Sequence, residues 1–93
     1  MTHFIYILYS PSTSGYYIGE TALPDERLNG HNEGKYDRSY SKRATDWEIY
    51  LLIKCDERKQ ALKIEKKIKS MKSTKYITNL KQYPEIIERL KVL

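Results

Sequence analysis

Cysteine is almost absent from this 93-residue sequence. The single Cys55 cannot form a disulfide within the chain, and no Cys or His stands near it at zinc-site spacing. A reducing cytoplasm is therefore the expected setting. Long apolar runs are missing too: with a mean hydropathy of −0.71, no stretch approaches the ~20 residues that a membrane span requires. The opening MTHFIYILY has no basic region, no extended apolar core and no small-residue cleavage site, so no signal peptide is expected. Repeats, low-complexity tracts and linkers are likewise lacking. The chain reads as one domain, residues 1–93, near the lower size limit for folding without metal or disulfide support.

Positive charge is scarce at one end and abundant at the other. Residues 1–34 hold one basic residue, Arg27, against Glu20, Asp25, Glu26 and Glu33, a net of −3. With +5 overall, the remainder carries +8. Between Arg58 and Lys81 there are nine basic residues and one acid, Glu65. Such a density suits a polyanion, because each neutralised phosphate releases counterions. A lysine-rich helix face in contact with water alone has the same composition.

Two apolar runs, Phe4 to Tyr9 and Tyr16 to Gly19, flank Ser10-Pro11-Ser12-Thr13-Ser14-Gly15 and predict a β-hairpin. Direct pairing of Tyr6 with Tyr17 leaves a four-residue loop, Ser10 to Thr13, and both phenols on one face. A helix follows: Pro24 suits its first turn, Asp25 and Glu26 suit the positive end of its dipole, and Gly30 and Gly34 weaken and stop it. Arg27 and His31, four apart, share a face of it, so two phenols, a guanidinium and an imidazole can converge.

Residues 35–46, KYDRSYSKRATD, have no apolar period and read as a surface loop. Tyr36 and Tyr40 are interleaved there with Lys35, Arg38, Lys42 and Arg43, a mixture that can stack bases while holding a phosphate backbone. The continuous apolar run from Trp47 to Lys54 predicts a third strand in a central position, covered on both faces. Asp56 is expected to cap a helix from Glu57 to about Lys72, with Ala61, Ile64, Ile68 and Met71 as its core stripe and Glu65 at the stripe's margin. Ser73 or Thr74 caps a short helix to Lys81. Tyr83-Pro84 ends it before a last helix from Glu85 to Leu93. The fold class is α+β: a small three-stranded antiparallel sheet, hairpin plus third strand, covered by helices.

Tyr6 in the first strand, Tyr17-Ile18-Gly19 in the second, Arg27 and His31 on the helix, and Glu65 within Ala-Leu-Lys-Ile-Glu-Lys-Lys-Ile-Lys together resemble the GIY-YIG nuclease domain over nearly the whole chain. The segments Arg27 to Asn32, Tyr40 to Arg43 and Lys69 to Ser73 resemble its small, single-domain bacterial branch. Two departures stand out. Ile5-Tyr6-Ile7 replaces the first Gly-Ile-Tyr, and Glu20 follows Gly19 where DNA-repair members often carry lysine.

The resemblance implies a metal-dependent endonuclease acting on DNA, RNA being left open, with one Mg²⁺ or Mn²⁺ ion held by Glu65. By the same resemblance Arg27 is the phosphate clamp and Tyr6 the leading candidate base. Tyr17 is its hydrogen-bonded partner, His31 a positioning or proton-relay group, and Gly19 and Asn79 are supporting residues. Helical geometry puts Arg58, Glu65, Lys69 and Lys72 along one edge. Arg58, Lys69 and Lys72, with Lys42 and Arg43 of the loop, are thus the expected phosphate contacts. A sequence-nonspecific, structure-directed nuclease connected with repair is the first function expected. A nucleic-acid-binding module of the same fold whose chemistry has lapsed is the second, and a protein-interaction domain the third.

Overall fold

The computed structural model describes residues 2–35 and 43–92. Strands β1 (His3–Ser10) and β2 (Gly15–Thr21) form the hairpin, and helix α1 (Pro24–Asn32) follows. Strand β3 (Glu48–Cys55) then leads to helices α2 (Arg58–Met71), α3 (Thr74–Gln82) and α4 (Glu85–Lys91). The sheet is antiparallel, in the order β2-β1-β3.

The central strand is thus β1, and β3 lies at an edge, contrary to the expectation from its apolar run. A bulge explains the run. Ile7 pairs with Leu51 but Leu8 pairs with Ile49, so Tyr50 is the extra residue. Tyr50 and Leu51 both pack on the α2 side, so adjacent apolar residues here do not mean two covered faces. Leu52, on the other side, is 41% exposed.

Alternation along β1 divides the core in two. Ile5 and Ile7 face α2, α3 and α4, packing with Ile53, Ile64, Ile68, Ile77, Leu80 and Leu90. Tyr6 and Leu8 face the α1 side, packing with Ala44, Trp47, Leu28, Ile49 and Tyr17. Ala61, Ile64 and Ile68 are the buried stripe of α2. Met71 is 41% exposed because the helix stops there, with Lys72 turning left-handed at φ 46°. Burying each isoleucine of the stripe contributes about 1.5–3 kcal/mol.

Local chemistry sets the helix ends. Pro24 opens α1, and Gly34, at φ 72°, donates to the His31 carbonyl just beyond it. Asp56 does not cap α2. Glu57 holds the cap position, and the Asp56 N–H is taken by the Gln60 side chain at 3.0 Å. Gln60 also donates to the Lys91 carbonyl at 3.1 Å, tying α2 to the end of α4. Ser73 caps α3 by accepting from Tyr76 N–H at 3.1 Å. Among the described residues no helix is long and apolar enough to cross a membrane.

Candidate active site

Tyr6 sits opposite Gly19, and Tyr17 opposite Leu8. The two tyrosines are therefore diagonal rather than directly paired, and the loop runs from Pro11 to Ser14. A shift of two preserves the face, so both rings still emerge on the α1 side, 6.1 Å apart. The last turn of α1 sets His31 against them, 5.8 Å from the Tyr6 ring and 4.5 Å from the Tyr17 ring. The Tyr6 hydroxyl and His31 Nε2 share a hydrogen bond of 2.9 Å, and the two residues are only 1% and 2% exposed. Tyr17 is half-buried, so it is the phenol with access to solvent.

Gly19 makes room for this pair. A Cβ there would lie 2.4 Å from the Tyr6 hydroxyl oxygen and 2.5 Å from Cζ. Arg27, half-buried, lies one turn before His31. Burial first, and the Arg27 charge second, lower the His31 pKa to about 4. The imidazole is neutral at pH 7 and able to accept a proton.

Glu65 lies across the sheet, on α2, with its side chain 18% exposed. Burial raises its carboxyl above the usual range; Lys69, with Nζ 3.8 Å away, opposes this, and the Glu20 charge adds to it. Glu20 faces the same helix, next to Ile5 in register, held by His3 Nδ1 at 2.9 Å and Arg58 Nε at 3.4 Å. So Tyr6, Tyr17, Arg27 and His31 gather on one face of the sheet and Glu65 stands on the other. The outer edge of β2, which pairs with no other strand among the described residues, lies between.

Of the expected phosphate contacts, Arg58 is 66% exposed but engaged by Glu20, and Lys69 is 53% exposed beside Glu65. Lys72 and Arg43 are exposed. Lys42, like Tyr36, Arg38 and Tyr40, lies outside the described residues. Asn79 is half-buried in α3, where its carbonyl accepts from Tyr83 N–H at 2.7 Å. Among the described residues no hydrogen bond ties its side chain to the Tyr6 cluster.

A family model described as the GIY-YIG catalytic domain matches residues 2–77. The chain belongs to the GIY-YIG family. This domain defines a nuclease superfamily, and Tyr6, Tyr17, Gly19, Arg27, His31 and Glu65 all fall within the matched span. A UPF0213 protein of Syntrophus aciditrophicus (strain SB) is 34% identical over 83 residues, covering 89% of this chain and 94% of that one. The solution NMR structure of a UPF0213 protein from Bacillus halodurans has the same fold. Its TM-score is 0.55 at 23% identity, over 88% of this chain and 84% of that one.

Two supports of this GIY-YIG site escape sequence reasoning. Asn32, at the end of α1, accepts from Trp47 N–H at 2.7 Å and donates to its carbonyl at 2.9 Å, acting as a strand partner for one residue. Asp46 accepts from Ser10 Oγ at 2.6 Å and from Ser12 N–H and Oγ at 2.9 Å each, clasping the hairpin loop to the start of β3. A polar residue at a helix end and an Asp before a strand were the available signals, but neither names its partner 15 or 34 residues away.

Proposed function

We propose that the protein is a divalent-metal-dependent endonuclease that hydrolyses DNA phosphodiester bonds with low sequence specificity, on branched or damaged structures of the kind met in repair. The observation that carries this reading is the buried Tyr6–His31 hydrogen bond beside Tyr17. Burying a phenol and an imidazole costs desolvation that an apolar pair would not, and titratable groups held in this way concentrate at functional sites.

Glu65 is the residue that would hold one Mg²⁺ or Mn²⁺ ion. Among the described residues no three His, Cys, Asp or Glu side chains converge on a metal position. One half-buried carboxylate nevertheless fits a hard cation that keeps several waters and takes its remaining ligands from substrate phosphate. When bound, the ion supplies charge neutralisation for the departing alkoxide. Arg27 clamps the scissile phosphate through its guanidinium fork. Tyr17, the more accessible phenol, orients the attacking water, while Tyr6 takes that water's proton as it passes its own hydroxyl proton to His31 Nε2. A phenol ordinarily titrates near 10, so His31, at about 4, is a weak acceptor before substrate arrives. A phosphate paired with Arg27 cancels the lesser of the two causes that depress the imidazole and leaves its burial, so it raises the basicity only in part.

Nicking of supercoiled and branched DNA in Mg²⁺ tests this. Glu65→Gln should abolish nicking while DNA binding persists, and chelation should do the same to the wild type. Tyr6→Phe and Arg27→Ala should each cost at least ~10²-fold. Undiminished turnover in Glu65→Gln overturns the assignment, and binding without any nicking leaves the lapsed module.

A further inference from the structure

A pocket of about 520 Å³ opens where the first residues of β2 meet the turn between α2 and α3. Its walls include Tyr16, Ile68, Ile77, Lys69, Lys72 and Ser73; among the described residues no Asp or Glu lines it, and the nearest carboxylate to its lysines is Glu65, 3.8 Å from Lys69 Nζ. The depression near the end of α4 is different: Asp56 and Glu57 stand there among Lys59, Lys63 and Lys91, and most of the charge cancels. The first pocket has the volume of a small-ligand site, ~300–1,000 Å³, and carries two ammonium groups on one side and apolar surface on the other.

The aromatic wall is fixed in place. The Tyr16 ring lies 5.0 Å from Tyr9 and 5.2 Å from Tyr50, edge-on to the latter, and Lys81 Nζ sits 4.4 Å from the Tyr50 centroid. Lys69 and Lys72 span the last turn of α2, and Lys72 has no carboxylate within 4 Å among the described residues. Tyr17 lines the pocket and also touches the Tyr6–His31 cluster from the other face of β2, so the pocket adjoins the candidate active site.

An anion joined to a flat π-surface is the ligand that two ammonium groups and an aromatic-aliphatic wall would take together. We propose that this pocket is a nucleotide subsite, with the phosphate between Lys69 and Lys72 and the base against Tyr16, Ile68 and Ile77. This rests on nucleic acid being the substrate. A base enters such a pocket only when it is unpaired, because its partner would have no room. The nucleotide can belong to the bound strand or arrive free.

Amide chemical shifts of the metal-free protein, titrated with 5′-dAMP, with inorganic phosphate and with a single-stranded tetranucleotide, decide the matter. We expect dAMP to move the amides of Gly15, Tyr16, Lys69 and Ser73 and to bind at least about 5-fold more tightly than phosphate, since stacking adds to the ion pair. Lys72→Gln and Lys69→Gln should each weaken dAMP about 5-fold while leaving the remaining spectrum in place. A tetranucleotide that moves the same amides and competes with dAMP identifies the strand as the source, whereas one that misses them identifies the free nucleotide. If dAMP leaves these amides unmoved, or phosphate binds as well as dAMP, the subsite is refuted. Plasmid nicking by the same preparation once Mg²⁺ is added separates the two readings: nicking without dAMP shifts removes the subsite alone, and shifts without nicking remove the nuclease alone.

Discussion

Gly19→Ala adds one carbon to the face of β2 that Tyr6 occupies. The new Cβ would stand 2.4 Å from the hydroxyl oxygen, 2.5 Å from Cζ and 2.7 Å from Cε1, whereas relaxed contacts begin near ~3.5 Å. The ring must retreat by about 1 Å, and it has nowhere to go: Tyr6 is 1% exposed, with Tyr17 and His31 beside it. Overpacking of this kind costs about 1–3 kcal/mol, and losing the hydrogen bond to buried His31 about 1–3 more, so about 2–6 kcal/mol in all. That is a large part of the ~5–15 kcal/mol typical of a small domain. Urea unfolding followed by the fluorescence of buried Trp47, in the same cluster, measures it. The geometry also fixes the pattern in double variants. Tyr6→Phe removes the oxygen but leaves Cζ and Cε1 in the way, so Gly19→Ala still costs about 1–3 kcal/mol in that background. Tyr6→Leu removes the end of the ring and should absorb most of the penalty. An unchanged midpoint for Gly19→Ala, or full rescue by Tyr6→Phe, refutes the reasoning.

Other perturbations test other parts of the site. Asn32→Ala removes two hydrogen bonds to the Trp47 backbone, worth about 0.5–1.5 kcal/mol each, and should destabilise by about 1–3 kcal/mol in urea melts; a loss under ~0.5 kcal/mol would show that water replaces the amide. For His31 the folded pKa, about 4, lies below the ordinary 6.5. Between these values the unfolded chain binds the proton and the native one does not, so stability should fall as pH drops from about 6.5 towards 4. The loss approaches about 3 kcal/mol. His31→Gln should flatten that slope above pH 5, where carboxylates contribute little; equal slopes would place the titration elsewhere. Lys69→Gln should lower the slope of log K against log salt for DNA by about 1, and Lys63→Gln by less. Equal slopes would mean that α2 acts as diffuse charge.

The sequence carried the order and type of every element, because each is written locally: apolar alternation around a turn, Pro24 and Gly34 at the ends of α1, Ser73 ahead of α3. The gathering of Tyr6, Tyr17 and His31 was legible for a similar reason, since strand and helix periods fix which side chains share a face. What failed was whatever depends on counting across a gap. A register of Tyr6 on Tyr17 and the observed one of Tyr6 on Gly19 both leave four-residue loops and place the same faces inward, so periodicity cannot separate them. The run around Tyr50 concealed a bulge, and with it the edge position of β3. The clasp at Asp46 and the pairing of Asn32 with Trp47 depend on long-range proximity that no local pattern encodes.

The central place of β1 shapes how the chain must be built during synthesis. Ile5, Tyr6, Ile7 and Leu8 are all at 0–1% exposure in the finished fold, yet they are made before either neighbouring strand and before every helix that covers them. β2 closes one side of the strand early. The other side waits for β3, and the cover over Ile5 and Ile7 waits for α2, which ends at Met71. At ~5–20 residues per second, roughly 3–12 s pass between making β1 and completing that cover. A short, uncharged, β-prone segment left open that long is a template for wrong pairing. The hairpin with its Pro11–Ser14 loop therefore has a second duty: it occupies one edge of the stickiest strand until the rest of the molecule arrives.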